Sequence, residues 1–144
     1  MIKKGIIVLV VLVLIQLIRP DKNESKNDTN HISAAFNLPV QVEEILQTSC
    51  YDCHSNNTAE VWYTTIAPVS WMVANHVNKG KEHVNFSEWM GYNQDQKKYI
   101  VDKLITSIEK HTMPTKGYIL MHKDAALSKE QQQVLVAWFQ TLKK

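Results

Sequence analysis

Cysteine occurs only twice in these 144 residues, and glycine and proline only four times each. Two thiols cannot build a disulfide scaffold, so any core must come from apolar burial, which a domain of about 100 residues can supply unaided. Scarce glycine and proline remove the turn punctuation that a chain of many short strands needs. The apolar residues past the N-terminus recur at helical spacing instead, and the fold class is read as all-α. Charge of one sign is missing too: 16 basic and 14 acidic residues mix along the chain, for a net charge of +2. Without a stripe of lysine and arginine there is no electrostatic footprint for nucleic acid. A small-x-small cleavage site is also absent after the single long apolar run, which argues against a removed signal peptide.

That run, "IIVLVVLVLIQLI" at 6–18, follows Lys3 and Lys4 and is interrupted only by Gln16. A span needs about 17 to 25 apolar residues, and 2–18 reaches the lower limit if the lysines snorkel to the headgroups. No side of the run is polar, so a buried core helix fits poorly, and residues 1–19 are expected to be a signal anchor in preference to a cleaved signal peptide. Positive charge ahead of the run places the remainder outside the cytoplasm. Residues 20–30, "PDKNESKNDTN", contain no aliphatic or aromatic side chain. Such a segment cannot offset its ordering entropy by burial, so 20–32 is expected to be a solvated tether and 33–144 the folded domain. Four helices are expected there: 40–48 with Val42, Ile45 and Leu46 on one face; one from Pro68 to a stop at Gly80; one from an Asn93 cap to about 110; and one opened by Ser128 and Gln131 in capping-box spacing.

Both cysteines fall in "SCYDCHSNNT", 49–58, two residues apart and followed at once by a histidine. A thioredoxin-like redox pair calls for a βαβ surrounding, which the pattern lacks. Structural zinc needs four ligands, which Cys50, Cys53 and two histidines can in principle supply, and an oxidising compartment would allow a simple disulfide. The third chemistry also uses His54. In Cys-x-x-Cys-His two thiols form thioethers to a porphyrin and the next imidazole reaches the iron. Cys50 and Cys53 are therefore read as attachment points for one covalent haem c, and His54 as the proximal iron ligand, all three lining a cavity that faces the distal ligand.

The chain resembles the small haem-binding domain family of bacterial c-type cytochromes. The likeness rests on "CYDCHSNNT", on "IAPVSWMVANHVNKGKEHVNFSEW" at 66–89, on the Met-Pro pair at 113, and on "ALSKEQQQVLVAW" at 126–138. It runs from about residue 33 to the C-terminus, with "QLIRP" similar to the family's leader. Val61 stands where the family leads one to expect proline, and Lys81 where it leads one to expect arginine; lysine offers a haem propionate a point charge and not a planar fork. The resemblance implies a small cytochrome c-like domain of about four helices around a single haem, on the periplasmic side of the bacterial inner membrane. The first and last helices would cross through Ile45, Leu46, Leu135 and Trp138.

The sixth iron position decides what such a haem does, because methionine raises the potential and suits electron transfer whereas an open position invites binding or peroxide chemistry. Met113 leads, because Pro114 pushes it out of the helical basin into an extended loop just past the third helix. His76 is second, His111 stands two residues from Met113, and methionines 72, 90 and 121 are further candidates. His83 and His122 read as surface or loop residues. Trp71 and Tyr118 are expected in the haem pocket wall, each with a hydrogen bond to offer a propionate; Trp62, Trp89 and Trp138 read as core. The function expected is electron transfer between redox proteins of a membrane or periplasmic chain, without enzymatic turnover. The alternatives are a haem-based redox or gas sensor and a peroxidase-like site.

Overall fold

Eight α-helices and no strand occur among the residues described by this computed structural model, 2–25 and 27–143. Met1, Lys26 and Lys144, which belong to the leader, tether and domain delimited above, lie outside the described residues. The helices are α1 (Ile2–Leu14), α2 (Ile32–Ala35), α3 (Val40–Ser49), α4 (Tyr51–His54), α5 (Val69–His83), α6 (Gln94–Glu109), α7 (Lys116–Met121) and α8 (Lys129–Thr141). Short 3-10 turns at Ile15–Leu17, Trp62–Thr65, Phe86–Gly91 and Lys123–Ala125 connect them.

Caps start α6 and α8 where the sequence places them. Asn93 accepts from the Gln96 amide at 2.9 Å while Gln96 accepts from the Asn93 amide at 2.9 Å, and Ser128 and Gln131 repeat the arrangement at the head of α8. Each box satisfies N–H groups that have no partner inside the helix. The apolar faces of α3, α6 and α8 then meet: Val42, Ile45 and Leu46 pack with Ile100, Val101, Ile105 and Ile108, and with Leu135 and Phe139. Burial of each such side chain contributes about 1.5 to 3 kcal/mol. The expected crossing of α3 and α8 is present, with Phe139 in its fully buried place and Trp138 only partly buried against the cluster. Phe86 and Trp89 extend the core towards α2, where Ile32 is fully buried, so the packed domain begins just ahead of 33.

Three expectations change. α5 does not stop at Gly80 but runs on to His83, because Gly80 is a point of close approach to another backbone and not a terminator. The segment 20–25 lies along the domain instead of hanging free in solvent. Asn23 donates to the Ser55 carbonyl at 2.8 Å and to Thr58 Oγ1 at 3.0 Å, and accepts from Lys81 Nζ at 2.6 Å. A chain with nothing apolar to bury is held here by polar side chains that pair with loop backbone. Lastly, α1 ends at Leu14 and tightens into a 3-10 turn, and Gln16 turns inward to pair both ways with the Ala67 backbone, accepting from its N–H at 3.0 Å and donating to its carbonyl at 3.0 Å. Among the described residues no helix is long and apolar enough to cross a membrane. The 13 residues of α1 span roughly 20 Å at 1.5 Å each, against a hydrocarbon core of about 30 Å.

Candidate functional site

α3 breaks at Cys50, whose φ of −131° and ψ of −44° redirect the chain into the single turn of α4. The Cys53 and His54 amides both donate to the Cys50 carbonyl, at 3.2 and 3.0 Å, which closes that turn. Cys50 is the residue at which the chain bends and Cys53 and His54 close the turn after it, so the three side chains are gathered within one turn of chain. Tyr51 is held by Glu43, to which its hydroxyl donates at 3.0 Å, and by the edges of His31 and Phe86. Asp52 accepts from the Ala59 amide at 3.0 Å and from the Tyr118 hydroxyl at 2.8 Å.

The loop after the motif locks the turn in place. Asn56 accepts from the Asn85 side chain at 2.8 Å and its amide donates to Ser87 Oγ at 3.0 Å; Thr58 Oγ1 donates to the Asp52 carbonyl at 2.6 Å. α5 runs alongside with Gly80 against the turn. A β-carbon at that position would lie 2.3 Å from the Cys53 carbonyl oxygen, so only glycine permits the approach. The approach brings the Val84 carbonyl to His54 Nδ1 at 3.1 Å. A carbonyl oxygen can only accept, so Nδ1 carries the proton and Nε2 of the neutral ring presents its lone pair. Burial lowers the His54 pKa, partly offset by the Val84 and Gly80 carbonyls, and this favours the neutral ring.

The thiols are free. Burial, with a smaller contribution from Cys53, pushes Cys50 up to about 12; burial and the Asp52 charge push Cys53 up to about 11. Burial thus holds both thiols protonated at neutral pH, unlike the depressed pKa of a redox-active pair. Among the described residues no three histidine, cysteine, aspartate or glutamate side chains are grouped to hold a metal ion, so the zinc reading finds no donor set. What the turn does bring together within five residues is two protonated thiols, Cys50 packed on the core and Cys53 against Gly80, and one neutral imidazole.

The other predicted residues are scattered. Met113 is 39 % exposed, in the loop between α6 and α7 that follows His111, whose φ of 53° terminates α6. His76 is exposed on α5, with Nδ1 against the Met72 carbonyl of its own helix at 2.8 Å. Trp71 donates its indole N–H to the Ile18 carbonyl at 2.8 Å, and Tyr118 donates to Asp52, so both hydrogen bonds foreseen for a propionate are already engaged. Lys81 is engaged by Asn23. His122 is a loop residue, between α7 and the turn Lys123–Ala125, and half-buried: its ring stacks on Tyr118 at 4.3 Å and its Nε2 meets the Tyr63 hydroxyl. Among the described residues, a cavity of about 70 Å³ and a wider one of about 710 Å³ are not lined by Cys50, Cys53, His54, Met113 or His76. The cavity expected between the attachment turn and its distal ligand is therefore not formed by these two; Cys50 packs on the core and Cys53 lies against Gly80.

A model of the haem-binding domain family matches residues 10–141. The chain belongs to that family. No curated protein and no solved structure matches it. The cofactor of this haem-binding domain is haem, and the turn suits it: an iron ligand needs an unprotonated imidazole nitrogen whose partner nitrogen is fixed by a hydrogen bond, which is the state His54 is in. Sequence reasoning missed Val84, Gly80 and Asn23. Glycine beside a lysine gave one signal, legible as a close approach in place of a helix stop; a carbonyl that acts through its position left none.

Proposed function

We propose that this haem-binding domain carries one covalent c-type haem and passes single electrons between redox proteins on the periplasmic side of the bacterial inner membrane. The observation that carries the reading is the turn that gathers Cys50, Cys53 and His54, with His54 Nδ1 held by the Val84 carbonyl so that the lone pair falls on Nε2. Bound haem supplies a one-electron iron couple whose potential its ligands and surroundings set. Cys50 and Cys53 would hold the macrocycle through thioether links and His54 would give Nε2 to the iron. The Val84 carbonyl fixes the ring's rotation and raises the basicity of Nε2. Met113 would be the second protein ligand to the iron, with His76 as the other candidate. In this reading the protein is a carrier and not an enzyme.

The membrane side of the reading is supported by α1. Its side chains from Ile6 to Leu14 are all 48 to 62 % exposed, on every side of the helix. A helix that is apolar all round is buried in a large core or in a membrane, and the two lysines ahead of this one suit a lipid surround. α1 inserts into lipid with Lys3 and Lys4 at headgroups.

Denaturing electrophoresis stained for haem peroxidase activity, on protein from cells competent in cytochrome maturation, is expected to show covalent colour that Cys50→Ser with Cys53→Ser abolishes. A wild-type chain of apoprotein mass would end the proposal. The ferric protein is expected to show weak red-edge sulfur-to-iron absorption, lost in Met113→Ala with a drop in potential. Survival of the band in that variant removes Met113 as ligand, and its absence from the wild type moves the assignment to His76.

A further inference from the structure

The 3-10 turn Trp62–Thr65 and the start of α5 expose apolar side chains that the core does not use: Trp62 is 71 % exposed, Met72 60 %, Ile66 46 % and Val69 41 %. The patch closes around one point, because Ile66 and Pro68 flank Ala67, and Ala67 is where Gln16 docks the end of the apolar N-terminal helix. A second link, from the Trp71 indole to the Ile18 carbonyl at 2.8 Å, ties the same junction to α5. The chain therefore leaves α1 without the free joint that a swinging domain requires. Beyond the junction, Lys22 pairs with Glu60 at 2.6 Å and Asn23 grips the loop after the cysteine motif. The leader is fastened to the domain at several successive points.

We infer that Trp62, Ile66, Val69 and Met72 form a second lipid contact, a platform that seats the domain on the bilayer surface in one fixed orientation around the root of α1. The inference rests on the insertion of α1 into lipid. Continuity argues for lipid as the occupant: a patch joined by two hydrogen-bond links to a helix that is apolar on all sides must lie at the level where that helix leaves the membrane. Composition agrees, because an indole has an apolar body and a polar N–H and is favoured at the boundary between acyl chains and headgroups. The platform also adds what a helix too short to span lacks, since exposed apolar area removed from water contributes about 25 cal/mol per Å². The consequence for electron transfer is geometric. The attachment turn, packed on the same α5, keeps a constant height and tilt above the membrane.

The full chain, reconstituted in phosphatidylethanolamine–phosphatidylglycerol vesicles doped with a phospholipid bearing a diazirine on its acyl chain, is photolysed and mapped by peptide mass spectrometry. Adducts are expected within both 6–18 and 61–73. Adducts in 6–18 alone overturn the platform and leave the inserted helix standing; adducts in neither overturn the helix on which the platform rests. Gln16→Ala with Trp71→Phe is expected to abolish labelling of 61–73 while 6–15 stays labelled, and persistent labelling of both overturns the fixed orientation. Trp62→Ser with Ile66→Ser is expected to lose the 61–73 adducts with the Soret spectrum unchanged. A shifted Soret band with labelling intact assigns these side chains to the haem and overturns the inference.

Discussion

Gly80 carries more of the site than its lack of a side chain implies. With a β-carbon 2.3 Å from the Cys53 carbonyl oxygen, and no flexible side-chain tip to yield, Gly80→Ala must push α5 away from the attachment turn. Urea denaturation of the apoprotein is expected to show a loss of about 1 to 3 kcal/mol, the usual cost of overpacking. The Val84 carbonyl retreats from His54 with the helix, so the covalent haem yield on a stained gel is expected to fall as well. Tyr118 works from the opposite side of the turn. Burial and the neighbouring Asp52 raise its phenol pKa, which keeps the hydroxyl a donor to Asp52 at neutral pH. Tyr118→Phe removes that hydrogen bond and retains the stack on His122, and is expected to cost about 1 kcal/mol in urea unfolding. The same variant is expected to speed amide exchange in α7, the helix that follows the Met113 loop. An unchanged exchange rate would mean that α7 is held by stacking alone.

At the scale of elements, capping boxes and apolar stripes mark α6 and α8 because their signals lie within a few residues of each other. Ser128→Ala deletes the acceptor for the Gln131 amide, and thermal unfolding followed by circular dichroism is expected to report a loss of about 0.5 to 2 kcal/mol. The strap 20–25 obeys different rules. Its composition matches that of disordered segments, yet Asn23 meets Ser55, Thr58 and Lys81 at once, partners that lie 32 to 58 residues further along. Asn23→Ala is expected to loosen the strap, read as faster proteolysis between residues 19 and 25 with global stability nearly unchanged. Equal cleavage rates in the two proteins would return the segment to the status of a free tether. The short helices α2, α4 and α7, each of four to six residues, are beyond the reach of periodicity because they complete little more than one turn.

For the whole molecule, the crossing of α3 and α8 is the frame on which the attachment turn is hung. Leu135 is fully buried in the core cluster shared by both helices, and Leu135→Ala is expected to cost about 2 to 5 kcal/mol. Because α3 delivers the chain into Cys50, that loss is expected to carry a lower covalent haem yield with it. Full yield in a destabilised variant would show that attachment precedes assembly of the frame.

The sequence by itself determined the helical class, the cores of α3, α5, α6 and α8, two capping boxes and the Cys-x-x-Cys-His spacing. Each of these is local: helical period, cap spacing and a Cys-x-x-Cys-His turn are complete within a few residues of chain. Only the tertiary structure decided that α5 continues through Gly80, that Asn23 and Gln16 dock the leader, that Trp71 and Tyr118 bond to Ile18 and Asp52, and that Val84 sets the tautomer of His54. The first depends on the close approach of Gly80 to the Cys53 backbone and the others on hydrogen bonds between groups 30 or more residues apart, for which neither composition nor periodicity holds a record.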